Sequence, residues 1–373
     1  MKKIIAIFLA AALMSSCCGS DGRNARGLAS RILGYGAKTV VFEKADFGTD
    51  CFELSSRGSK VLIRANNSGS MATGLNYYLK NYCNTSVSWY DYNPVALPAT
   101  LPEVPEPVKV KACVEDRFFL NYCTFGYTMP WWGWKEWERF IDWMALNGVN
   151  MPLAITGEEA VWQKVWRRFG MTDGQIRSFF TGPAYLPWHR MINIDRWQGP
   201  LPQHWIDSQA ELQKRILKRE RSLGMRPVLP GFSGHIPAEI TQLYPELETA
   251  PVARWGGFHE EHRCTFLNSM DPMFDSIQKA FLEERRRGGP AYRGWVGGTY
   301  CGLPFRKGKR AVQGSVAENV PGHLQVQCLF PRHFDQFPPG ASRLQPLDER
   351  LHLLRQFRPQ EGSGLDVGGE VGQ

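Results

Sequence analysis

Eleven aromatic residues fall within the 26 positions from Phe118 to Trp143. Trp137, Phe140 and Trp143 recur at helical spacing and read as core. Tyr122, Tyr127, Trp131 and Trp132 lie instead at an expected strand end and the loop after it. Aromatic faces in such a place suit the apolar C–H face of a sugar ring, while neighbouring amides and carboxylates take its hydroxyls. Two acids, Glu158 and Glu159, follow the next expected strand and open a helix. They are either first-turn charges favoured by the helix dipole or carboxylates that hold substrate hydroxyls. His235 closes a glycine-rich loop, Gly231–His235, as a substrate ligand or as a helix-entry residue. Ser233 in that loop lacks the G-x-S-x-G context of a serine nucleophile, so serine hydrolysis is set aside.

The elements that must position these residues read as an α/β chain. Residues 22–110 form a small N-terminal α+β domain. Lys38–Glu43 and Lys60–Ala65 alternate as strands do, and Ser70–Tyr82 repeats apolar residues at helical spacing. Pro94, Pro98, Pro102, Pro105 and Pro107 mark a linker with polyproline character and a boundary near 110. Residues 111–284 alternate strands and helices. The expected strands are Arg117–Thr124, Val149–Ile155, Met225–Pro230 and Cys264–Asn268. The expected helices are Lys135–Asn147, Glu158–Phe169, Gln203–Leu223 and one opening at Asp271-Pro272. Repeated β-loop-α units imply parallel strands with helical crossovers. The polar and glycine-rich clusters follow the C-terminal ends of strands, where a (β/α)₈ barrel carries its active site. About four of eight strands are identifiable, so an incomplete (β/α)₈ TIM barrel is expected, followed by an irregular C-terminal tail over 285–373.

Long runs of this chain resemble α-N-acetylglucosaminidases, glycoside hydrolase family 89. They are Asn121–Thr124 with Trp131-Trp132 and Trp134, then Trp143–Ala154, Thr156–Trp162, Phe179–Met191, Trp197–Pro202 and Gly224–Pro237. The resemblance covers about residues 30–284. It implies a retaining exo-glycosidase that removes terminal α-linked N-acetylglucosamine from glycan or glycosaminoglycan ends, without metal or organic cofactor. It also implies that Asn121, Cys123, Tyr127, Trp188 and Met191 line the sugar pocket. The chemistry agrees: Asn121 can bond hydroxyls as donor and acceptor, and Trp188 and Met191 offer an apolar wall. Retaining hydrolysis needs two carboxyl groups about 5–5.5 Å apart. The family's Asn-Glu acid/base motif is absent from this sequence, and so is its nucleophile motif. Ala317-Glu318-Asn319 has flanks that do not match. An inactive chain is therefore expected, and a non-catalytic carbohydrate-binding lipoprotein is the alternative.

The ends carry their own signals. Lys2 and Lys3 precede an apolar run, Ile4–Met14, and then Ser15-Ser16-Cys17, which reads as a signal peptide with a lipobox over residues 1–20. Export, lipidation at Cys17 and contact with a membrane only through that anchor are expected, in the periplasm or on the outer membrane. The remaining cysteines show no metal-ligand spacing and no disulfide framework. The formal charge of +8 is concentrated in residues 285–373, with 13 Lys/Arg against 7 Asp/Glu, so no nucleic-acid partner is expected. That segment has 15 Gly and neither Ile nor Met, which fits disorder or a shifted reading frame.

Overall fold

In the computed structural model of the 373-residue chain, residues 19–287 and 295–297 are described. The expected signal peptide with Cys17, Ala317–Asn319 and nearly all of the expected tail lie outside them. Among the described residues, no helix is long and apolar enough to cross a membrane.

The N-terminal part is a four-stranded sheet under two helices. Helix α1 (Ser20–Leu33) leads into β1 (Val40–Lys44), β2 (Cys51–Arg57), β3 (Lys60–Ala65), α2 (Ser68–Asn81) and β4 (Val108–Lys111). The strand order is β1-β3-β2-β4, with β1 parallel to β3 and the other pairs antiparallel. Asn67 starts α2: its side chain accepts from the Ser70 amide at 2.8 Å, satisfying one of the helix's free donors. Gly74 then lets the helix lie on the sheet, because a Cβ there would come within 2.7 Å of Ile63. The expected boundary near 110 falls inside β4, which pairs with β2 from Val108 to Lys111. The proline-rich stretch ends as the edge strand of the sheet.

Next come β5 (Phe118–Phe119), α3 (Tyr122–Tyr127), α4 (Trp134–Leu146), β6 (Met151–Pro152), α5 (Glu159–Arg168), α6 (Asp173–Phe179), α7 (Leu186–Arg190), α8 (Gln203–Ser222) and β7 (Val228–Pro230). The described chain closes with β8 (His235–Ile236), α9 (Ile240–Leu243), β9 (Thr249–Pro251), β10 (Thr265–Leu267), α10 (Pro272–Arg287) and β11 (Trp295–Gly297). β5 pairs in parallel with β6, Leu153 bridges in parallel to Val228 of β7, and β7 pairs in parallel with β11. Four successive parallel strands joined through helices give a TIM-barrel-like arrangement.

Three expectations change. Arg117–Thr124 is strand only at Phe118–Phe119; the chain turns at Leu120, with φ of 83°, and Asn121 then caps α3. The strand near Cys264–Asn268 forms as β10, but antiparallel between β8 and β9 in a separate three-stranded sheet. The fourth parallel strand is β11, beyond the expected limit at 284, and α10 runs on to Arg287.

Two apolar clusters fill the interior. One joins Leu28, Ile32, Ile63 and Leu75 of the N-terminal sheet and helices to Phe140, Ile141 and Met144 of α4 and Ile216 of α8. The other holds Val165 and Trp166 of α5, Leu217 of α8 and Phe281 of α10.

Candidate active site

Helix α7 organises the site, because three consecutive residues each reach a different neighbour. Trp188 lies over α3: its ring makes an edge contact with Tyr127 at 5.2 Å. Gly126 permits the approach, since a Cβ there would sit 2.4 Å from the Trp188 ring. His189 is buried with Nδ1 2.9 Å from Asp195 Oδ1. Arg190 donates two hydrogen bonds, of 2.8 and 2.9 Å, to the carboxylate oxygens of Glu159 at the start of α5. A bidentate, buried pair of this kind fixes orientation as well as distance. Met191 ends the helix, its amide bonded to the Pro187 carbonyl.

The β5–α3 turn and α3 carry the next candidate residues. Asn121 is exposed and caps α3, its Oδ1 accepting from the Thr124 amide at 3.1 Å and the Thr124 hydroxyl at 2.9 Å. Its amide NH₂ points no hydrogen bond into that cap and can serve a ligand hydroxyl. Cys123 is half-buried in α3, and Tyr127 stands 78% exposed at its end. The sequence-predicted Asn121, Cys123, Tyr127, Trp188 and Met191 are thus gathered on α3 and α7, two short helices packed against each other.

The other aromatics divide. Trp131 is exposed and meets the Trp205 ring edge-on at 5.2 Å. Trp132 instead packs against Trp137 and Phe140 of the core. Sequence reasoning missed Trp255, whose ring lies 6.1 Å from Trp188 and stacks on Phe258 at 5.5 Å. It sits in a loop 67 residues beyond Trp188, with no periodicity around it to signal a role.

Glu158 and Glu159 are both buried, and each meets an arginine. Glu159 gives both carboxylate oxygens to Arg190, which ties the start of α5 to α7. Glu158 Oε1 accepts from Arg285 of α10 at 3.0 Å. Burial pushes the Glu158 carboxyl up to about 7, against the pull of Arg285 and Arg190. Glu158, Tyr122, His189, Ser233 and His235 line one small cavity at the strand ends.

His235 lies on β8 and is buried, with Nε2 2.8 Å from Asp195 Oδ1. The Cys264 thiol reaches the same oxygen at 3.4 Å. Burial alone would raise the Asp195 carboxyl, but His235 and His189 hold it down at about 2. Burial, and then Asp195, push the Cys264 thiol up. His189, Asp195 and His235 offer three ligand atoms within 4.8 Å that could hold a metal ion; here they bond directly to one another. His235, expected at the end of a glycine-rich loop, therefore sits on β8 in a buried polar cluster with Asp195, His189 and Cys264.

The family model described as the α-N-acetylglucosaminidase (NAGLU) TIM-barrel domain matches residues 117–289, and that of its N-terminal domain matches residues 23–103. Over this span the chain belongs to the α-N-acetylglucosaminidase family, glycoside hydrolase family 89. Human α-N-acetylglucosaminidase is 40% identical over 277 residues, 71% of this chain and 37% of that protein. A family 89 glycoside hydrolase from Clostridium perfringens, solved with 2-acetamido-1,2-dideoxynojirimycin, is 37% identical with a TM-score of 0.68. That match covers 74% of this chain and 32% of the other. A Clostridium perfringens family 89 structure with its substrate GlcNAc-α-1,4-galactose is 35% identical with a TM-score of 0.69, over 74% and 32% of the two chains. This chain spans about a third of the length of these family 89 relatives.

Proposed function

We propose that α3 and α7 receive a terminal N-acetylglucosamine, and that the chain's activity is that of its family: retaining exo-hydrolysis of α-linked N-acetylglucosamine from glycan or glycosaminoglycan ends. The observation that carries this reading is the wall made by Tyr127, Trp188 and Trp255, with Met191 at the end of α7 and Asn121 at the start of α3, the two helices that carry Trp188 and Tyr127. An aromatic and thioether wall suits a ring face and an acetyl methyl, and the amide suits hydroxyls. Relatives solved with an N-acetylglucosamine-like iminosugar and with GlcNAc-α-1,4-galactose support the same sugar.

A second reading is favoured by one observation. Glu158 and Glu159, the acids at the end of the β6 segment, are each engaged by an arginine, and the sequence lacks the Asn-Glu motif. In that reading the chain binds the sugar without cleaving it, as an exported lipoprotein anchored at Cys17. A calorimetric titration with N-acetylglucosamine, run beside a chromogenic α-N-acetylglucosaminide assay, separates the two: binding with turnover supports the hydrolase, and binding alone supports the carrier. Trp188→Ala and Asn121→Ala are each expected to weaken sugar binding at least tenfold, the scale of a lost ring contact or hydrogen bond in a pocket. Unchanged affinity in both would remove the pocket assignment.

A further inference from the structure

A basic face surrounds helix α1, on the side of the molecule nearest the exported N-terminus. Arg23, Gly27 and Arg31 form one row along α1, and Arg26, Ser30 and Gly34 continue an adjacent row. Residues three and four apart on a helix lie on neighbouring lines of its surface, so the two rows make one ridge. A groove runs along each side. The first is lined by Arg26, Tyr35, Lys38 and Lys60, with a volume of about 800 Å³. The second is lined by Arg23, Arg215 and Lys218, together with Trp134.

The charges on this face do not cancel. Arg31 and Arg219, also in the second groove, are taken by Asp142 and Glu138 of α4, and Asp21 by Lys44. Arg23, Arg26, Lys38, Lys60, Arg215 and Lys218 have no carboxylate partner among the described residues. Lys38 lies over the Tyr35 ring and Arg215 over the Trp134 ring. Tyr35 itself is 89% exposed. Six uncompensated cations beside an exposed tyrosine combine the two signals of a protein face that rests on lipid headgroups: charge for an anionic surface, and an amphipathic ring for the interface.

We propose that this face docks on an anionic lipid surface and sets the orientation of the anchored chain. The choice of a lipid surface rests on the Cys17 anchor reading. Ser20, the first residue of α1, lies three positions after Cys17, and three extended steps span about 10 Å. An acyl group on Cys17 would therefore hold the start of α1 within about one screening length of the headgroups, and docking of the basic ridge would lay the rest of the helix along the surface. A polyanionic oligosaccharide offers the same charge, but nothing about it accounts for the position of the patch beside the anchor.

Vesicle flotation tests the proposal, because an aggregated protein sinks. The full chain carrying Cys17→Ser is mixed with phosphatidylcholine vesicles, with and without phosphatidylglycerol. The apolar segment Ile4–Met14 contributes to both, so the difference isolates the cations. The expected result is much stronger flotation with the anionic vesicles, lost in high salt. Each surface cation contributes about fivefold, so Arg26→Gln with Lys38→Gln and Lys60→Gln lowers the partition about a hundredfold. Tyr35→Ala weakens the binding that remains in salt. Equal flotation on both vesicles, or a triple variant that binds like the parent, overturns the proposal. So does retention on dextran sulfate without anionic-vesicle binding. Mass spectrometry of the natural N-terminus judges the anchor separately: unmodified Cys17 with intact vesicle binding removes the anchor and keeps the docking face.

Discussion

Glu158 and Glu159 are neighbours in sequence with opposite duties. Glu159 meets Arg190 in a two-bond pair and so couples the start of α5 to the helix that carries Trp188 and Met191. Glu159→Gln should cost about 3–5 kcal/mol, because it leaves a guanidinium buried without its anion. It should also weaken sugar binding through α7. Urea unfolding and a binding titration measure the two effects; full affinity in the variant would show that α7 is fixed by other contacts. Glu158, pushed up to about 7 by burial, keeps a proton in the folded chain at pH values where the unfolded chain has lost it. Ionising it in place is therefore a cost of folding. Stability should fall as pH rises from about 4.5 to about 7, by on the order of 1–3 kcal/mol, and then level off. Glu158→Gln should flatten that slope in thermal unfolding measured across the window. A variant with the parent's slope would place its origin elsewhere.

Among the elements, legibility followed local pattern. The amphipathic stretch Trp134–Leu146 was readable as a helix to within a residue, since Trp137, Phe140, Ile141 and Met144 repeat on one face and Gly148 follows. Helix α1 escaped notice because two glycines and three arginines dilute Ala25, Leu28, Ala29 and Ile32. β2 was missed because serines and an arginine occupy its second half, where pairing with β3 decides the conformation. β5 is short because a capping residue, Asn121, competes with strand continuation, and a capping side chain was weighed only as a ligand. β10 was readable as a strand, but its antiparallel partners lie elsewhere in the chain and no local pattern reports them. The candidate-site residues named from the sequence are those that a family motif carries. The partners of those residues, Arg190 for Glu159, Asp195 for His189 and His235, and Trp255 for Trp188, are products of tertiary contact and carried no such mark.

At the scale of the whole molecule, the apolar cluster that joins the N-terminal sheet to α4 and α8 is reinforced by polar links. Arg31 donates two hydrogen bonds, of 2.6 and 2.7 Å, to the buried Asp142 carboxylate, and Asn76 donates to the Leu146 carbonyl at 2.9 Å. Ser68 and Asn24 both donate to the Ser222 carbonyl. Elements that share one core lose it together. Residues 19–111 and the adjoining α4–α8 layer should therefore unfold in a single transition by differential scanning calorimetry; two resolved transitions would show that the joint is weaker than its contacts imply. Asp142→Ala should lower that transition sharply, since it strands a partly buried guanidinium as well as removing a link.

The same joint bears on how such a protein can be altered. A domain bounded by a linker can be exchanged as a cassette, with its neighbour left intact. Here the seam runs through the packing of α1 and α2 on α4 and α8, so a graft cut at the proline-rich stretch would carry away half of a shared interior. An engineer wishing to move the small domain, or to fit another in its place, would have to rebuild the receiving faces of both helices at the same time. Lineages that kept the pair would face the same constraint, and the two parts would be inherited as one unit.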